Sequence, residues 1–216
     1  VTTETAPLAG YQQAVARVRE ITAPLQTAPT ATDAAATGDF ATQLGAAMTP
    51  AAGVQSAASV TLPGNASTGQ RIAALATAEL GVAEQPPGSN DAPRIAEYRT
   101  ATAGSGVGPW CAYFTSWVAQ QAGVPVGPNG SGIGYVPTVK QWAESAGRYI
   151  PAGGGAPRVG DLVVFDRRGD GVLDHIGVVT GVRPDGGIET VEGNSSDKVS
   201  ARSYGPDGYA GLVRLT

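Results

Sequence analysis

Asp174-His175-Ile176-Gly177-Val178-Val179-Thr180-Gly181-Val182-Arg183-Pro184-Asp185-Gly186-Gly187-Ile188-Glu189-Thr190-Val191-Glu192-Gly193-Asn194 is the stretch that decides the fold. Two runs rich in Val, Ile and Thr flank Pro184-Asp185-Gly186-Gly187, whose residues carry turn chemistry, so the stretch reads as a β-hairpin. Closing an Arg183–Gly186 loop with Val182 and Gly187 sets a register that pairs His175 with Asn194 and Gly177 with Glu192. Residues two apart share a face of a strand, so His175, Glu192 and Asn194 are expected to look into one pocket. Directly opposed Cβ atoms lie ~4.5–5.5 Å apart and diagonal ones ~7–8 Å, within side-chain reach. A slip of one residue would turn the whole set to the other face.

Working outward, the segments around the hairpin read as further short strands, Asp161–Asp166, Lys198–Tyr204 and Gly211–Leu215. Before them the texture is helical. Arg71 to Leu80 ends at Gly81, Ala92 to Arg99 is short, a third helix runs from near Cys111 to Gly123, and Val136 to Ala146 is a fourth. Helices first and an antiparallel sheet after them is an α+β plan. Further upstream, Leu8, Tyr11, Val15, Val18 and Leu25 recur at helical spacing within residues 7–25, and Phe40 and Leu44 mark a short helix within 39–48. Residues 1–48 are thus read as a small helical extension, 49–67 as an Ala/Ser/Gly/Pro-rich linker, and 68–216 as the main folded domain.

The chain has one cysteine and one histidine. A cysteine hydrolase needs a thiol as nucleophile and an imidazole to take its proton and return it to the leaving group. Cys111 opens a helix, where unpaired N–H groups and the helix dipole are expected to lower the thiol pKa and to supply oxyanion donors. Cys111, His175, Glu192 and Asn194 are therefore the catalytic candidates, with the carboxylate or amide orienting the ring. Trp110 and Tyr135 are candidates for lining the substrate cleft. Asp174 beside the histidine reads as a turn cap, and Asp166, Asp170 and Asp174 together as turn chemistry rather than a metal site.

Totals narrow the function classes. The balance of 14 Lys+Arg against 18 Asp+Glu gives a net charge of −4 with no basic run, which argues against nucleic acid as a partner. A lone cysteine makes no intrachain disulfide, and a lone histidine lacks the companions of a zinc site, so no metal or cofactor is expected. No apolar run is long enough to span a membrane, and no basic start followed by an apolar stretch marks a secretory signal.

The segments Pro109-Trp110-Cys111-Ala112-Tyr113-Phe114, Gly160-Asp161-Leu162-Val163-Val164-Phe165 with Asp174-His175-Ile176-Gly177-Val178-Val179, and Glu192-Gly193-Asn194 together resemble the CHAP domain, the cysteine, histidine-dependent amidohydrolase/peptidase. Related NlpC-type wall peptidases share the two strand motifs but lack the Glu-x-Asn pair. The resemblance covers roughly residues 68–216. It implies a papain-like α+β fold, with helices packed against an antiparallel sheet, and cleavage of an amide in peptidoglycan, at the N-acetylmuramoyl-L-alanine bond or within the stem peptide or cross-bridge. It implies Cys111 as nucleophile, His175 as base, Glu192 as the orienting carboxylate and Asn194 as support. The calcium-binding Asp-rich loop of some family members has no counterpart ahead of Cys111.

The implied partner is a peptidoglycan stem peptide, and the implied place of work is secreted, in the wall or periplasm, of bacterial or phage origin. A non-catalytic wall-binding or assembly protein that keeps the hydrolase fold is the alternative. The helix of residues 7–25 with the Phe40 segment resembles the N-termini of flagellar rod or basal-body components, and the Leu8–Leu25 helix is a candidate for self-association or an assembly contact. Phage lysis is the other setting.

Overall fold

The structure, a computed structural model, describes residues 64–216. The expected helices at 7–25 and 39–48, with any self-association through them, lie outside the described residues.

Four helices precede or flank a six-stranded antiparallel sheet: α1 (Thr68–Ala78), α2 (Pro93–Thr100), α3 (Cys111–Gln121) and α4 (Val136–Ser145), then β1 (Tyr149–Pro151), β2 (Leu162–Phe165), β3 (His175–Val182), β4 (Ile188–Glu192), β5 (Ser200–Tyr204) and β6 (Gly211–Val213). The sheet order is β1-β6-β2-β3-β4-β5. The fold is α+β, and among the described residues no helix is long and apolar enough to cross a membrane. Sequence reading missed β1, whose three residues end in a proline. Pro151 is tolerated because β1 lies at the edge of the sheet, where a missing N–H breaks no interior ladder.

Local chemistry explains the helix starts. Ser67 and Gln70 form a capping box, with Ser67 Oγ accepting from Gln70 N at 3.2 Å and Gln70 Oε1 accepting from Ser67 N at 2.8 Å. Proline stands in the first turn of α2 and of α4, where its missing N–H costs nothing. By contrast α3 has no side-chain cap, and its residues from Cys111 to Ala119 are all buried. A helix apolar on every side is a core helix. Tyr98, Trp110, Phe114 and Trp117 pack together around it, with Tyr98 centroids 5.2–5.9 Å from the other three rings.

The sheet buries both faces. Leu162, Val164, Ile176, Val178, Val191 and Val213 join Ile72, Trp110, Phe114 and Val118 of the helical layer in one core. Val163, Phe165, Val179, Ile188 and Leu212, the alternate residues, form a smaller cluster on the other face with Tyr209.

The hairpin differs from its expected form at the tip and agrees with it near the site. Arg183 and Gly187 close a shorter turn, Arg183 N–H donating to Gly187 O at 2.8 Å, and Val182 pairs with Ile188. A bulge between Val179 and Gly181 then absorbs one residue, so that Val179 pairs with Thr190 and Val178 with Val191. The bulge restores the register that puts Gly177 against Glu192, where a Cβ on Gly177 would lie 2.6 Å from Glu192 Cγ.

Candidate active site

Cys111 is the first residue of α3, and its side chain is 5% exposed at the wall of a cleft of about 1010 Å³. The cleft runs along α4 and the glycine-rich segment 130–134, and is lined by Tyr113, Ile133, Pro137, Gln141, Trp142 and Leu173 among others. Buried Ser116 on α3 fixes that segment by exchanging hydrogen bonds with Ile133, Oγ donating to Ile133 O at 2.9 Å and accepting from Ile133 N at 3.1 Å. Only glycine fits at position 134, where a Cβ would come within 2.6 Å of the Tyr113 ring. The next residue, Tyr135, stands 64% exposed on the cleft rim.

His175 begins β3 and Glu192 ends β4, and both are buried. His175 Nε2 lies 3.0 Å from Glu192 Oε2. With Nε2 engaged there, Nδ1 is the ring nitrogen left to exchange a proton with a thiol. The ring also lies against Phe165, centroid to centroid 5.8 Å. Glu192 is fully enclosed, yet its oxygens are all used. Oε2 also accepts from Arg167 Nη2 at 2.7 Å, and Oε1 accepts from Thr190 Oγ1 at 2.7 Å. Burial pushes the Glu192 carboxyl up, but hydrogen bonds from His175 and Thr190 outweigh it and hold the group below the usual carboxylate range. It is therefore a carboxylate at neutral pH.

The thiol departs from the sequence expectation. Burial pushes Cys111 up to about 11, against the N–H groups of Ala112 and Ile176 and the charge of Arg167, which all pull it down. Desolvation wins over the helix N-terminus because the sulfur is enclosed on nearly every side. The pull of the Ile176 N–H on the thiol puts the sulfur near the residue that follows His175.

Two expected site residues stand elsewhere. Trp110 is in the core with no exposure, stacked on Tyr98 and bonded through Nε1 to Glu84 Oε1 at 2.9 Å, because an indole preceding a buried helix turns inward. It lines no part of the cleft. Asn194 was expected opposite His175, but β4 stops at Glu192 and Asn194 adopts a left-handed φ of 53°, so its amide turns away from the imidazole. It lies 3.3 Å from the Asn90 amide. The acidic loop shows turn chemistry: Asp166 accepts from the N–H groups of Gly169, Asp170 and Gly171, and Asp174 from that of Arg167.

Arg167 and Thr190 escaped the sequence reading. Thr190 was findable, since it lies two residues before Glu192 on the same strand face. Arg167 was not, since its side chain returns to Glu192 from the loop beyond β2, a path no periodicity records.

Residues 102–194 match the family model of the CHAP domain. Over these residues the chain is similar to the CHAP domain. The matched span contains Cys111, His175 and Glu192 and ends on Asn194, and CHAP domains are in general cysteine- and histidine-dependent hydrolases of a peptidoglycan-related amidase/peptidase family. No curated protein and no solved structure matches the chain significantly.

Proposed function

We propose that this protein hydrolyses an amide bond of peptidoglycan through a thioester on Cys111, either as an N-acetylmuramoyl-L-alanine amidase or as a stem-peptide or cross-bridge endopeptidase. The observation that carries the reading is the His175–Glu192 pair at 3.0 Å, next to a thiol that opens onto a cleft of about 1010 Å³. With the thiol pushed up to about 11, the resting sulfur is protonated at neutral pH, so its proton passes to His175 as it attacks rather than beforehand.

The steps then follow. Cys111 Sγ bonds to the amide carbon while its proton moves to His175 Nδ1. The oxyanion is held by the N–H of Cys111 at the uncapped start of α3. His175 protonates the departing amine as the C–N bond breaks, leaving a thioester. Water, deprotonated by His175, attacks that carbon; the carboxylic acid leaves and the thiol is restored. Throughout, ionised Glu192 stabilises the transient imidazolium and holds the ring. A polymer outside the plasma membrane as substrate places the work in the wall, the periplasm or the medium.

The test is digestion of purified peptidoglycan by wild type and Cys111→Ala, with mass spectrometry of the soluble products. Fragments that depend on Cys111 support the reading, and their new ends name the bond: stem peptides beginning at L-alanine for an amidase, cut stems or bridges for an endopeptidase. Absence of fragments across several wall types overturns it in favour of a binding role.

A further inference from the structure

Glu84 lies upstream of the span that matches the CHAP model and takes no part in the chemistry above. It is 3% exposed, and among the described residues no cation pairs with it. Neutral donors satisfy it instead. Oε1 accepts from Trp110 Nε1 at 2.9 Å and Oε2 from Asn90 N at 2.8 Å. Asn194 completes the arrangement with its amide turned to suit its neighbours: Oδ1 accepts from Trp110 N at 3.2 Å and Nδ2 donates to Glu84 Oε1 at 3.3 Å. The residue immediately before Cys111 is thus held by its indole and by its backbone N–H.

Trp110 is the residue at the N-terminal boundary of α3, and no side chain caps that helix. Its backbone torsions set the direction in which Cys111 leaves the loop, so whatever fixes Trp110 aims the sulfur. The partner loop is held firmly enough to serve. Asn194, Ser196 and Asp197 all adopt left-handed φ of 53–60°, a conformation that Asn and Asp take readily and Ser rarely. Glu84 N–H donates to Asp197 O at 2.9 Å, and Ala83 bridges to Lys198.

We propose that Glu84 is a positioning residue for the nucleophile, acting with Asn194 through Trp110. This rests on the reading of Cys111 as nucleophile. A carboxylate is required because both oxygens face N–H groups; glutamine would turn an NH₂ against one of them. Asn194 consequently serves the thiol side of the site and not the imidazole side.

The experiment compares full-length wild type, Glu84→Gln and Asn194→Gly, with His175→Ala as the reference for an unassisted thiol. Glycine keeps the left-handed backbone of Asn194 and removes only its amide. Melting temperature, the rate of Cys111 alkylation by iodoacetamide, and kcat and KM on soluble peptidoglycan fragments are measured. Alkylation and kcat are expected to fall about 10–100-fold in both variants, with KM within about twofold, since a misaimed nucleophile loses rate and not binding. Wild-type alkylation and kcat in Glu84→Gln overturn the proposal; if that variant does not fold, the same result in Asn194→Gly does so. Should wild type itself alkylate no faster than His175→Ala and release no fragments, the hydrolase reading falls and this proposal with it. Fast alkylation in wild type and in both variants removes the positioning role alone.

Discussion

The two halves of the site are held by different physics. On the imidazole side, Glu192 is enclosed but meets a guanidinium, an imidazole and a hydroxyl, so its charge is matched where it is buried. On the thiol side, Glu84 is nearly as enclosed and meets only neutral N–H donors, from Trp110, Asn90 and Asn194. Charge pairing suits a group that must stabilise a transient cation. Neutral hydrogen bonds with fixed directions suit a group whose task is to hold position. The same contrast recurs in the packing. Gly177 makes room for the Glu192 side chain, whereas Gly193 lets the end of β4 pass against Phe114 and Trp110, at 2.6 and 2.9 Å from where a Cβ would stand.

The largest effect on this contrast is expected from Glu192→Gln. It keeps the size of the side chain and removes the charge beneath His175, so kcat should fall about 10²–10⁴-fold, by analogy with neutralising the carboxylate of a hydrolase triad. The same variant tests stability against pH. Because the folded-state carboxyl is held low, wild type gains stability that is complete above the unfolded-chain value of about 4.3 and is lost as pH falls through the folded value. Melting temperatures of wild type should therefore drop in that acid window, and those of Glu192→Gln should drop less. An equal drop would show that Glu192 is not the ionised partner.

Next in size is the pair Gly177→Ala and Gly193→Ala. The first pushes on Glu192 Cγ and should lower kcat with a modest loss of stability, while the second wedges a methyl group between β4 and the core aromatics. The expected cost of that overpacking is about 1–3 kcal/mol, read by chemical denaturation. Equal losses of activity and stability in both would erase the distinction between the two halves.

Arg167→Gln should have the smallest effect. The guanidinium pulls the Cys111 thiol down from a distance and is 41% exposed, so solvent screens much of its field. A titration of thiolate absorbance should show the midpoint rising above its wild-type position. An unchanged midpoint would leave Arg167 as a partner of Glu192 alone.

Much of the fold was legible because its signals are local. The run of helix-forming residues after Cys111 and the Val- and Ile-rich runs of β3 and β4 all act within a few residues. The hairpin register at Val178 and Val191 came out as expected although the turn did not, because the bulge at Thr180 offset an error of one residue at the tip. Nothing in the spacing of Val179, Thr180 and Gly181 announces that bulge. Asn194 was misplaced for a related reason: the alternation was extended past Glu192, where the backbone turns left-handed and the strand ends.

What the sequence by itself determined is the chemistry available, one thiol, one imidazole and a Glu-x-Asn pair, together with the order of helices and strands, since these depend on residue types and short-range periodicity. Only the tertiary structure decided how that chemistry is tuned. The thiol is raised by enclosure although it opens a helix, Arg167 returns to Glu192 from a separate loop, and Glu84 reaches Trp110 across 26 residues of chain. Burial and long-range side-chain contacts are properties of the packed chain, and no local pattern encodes them.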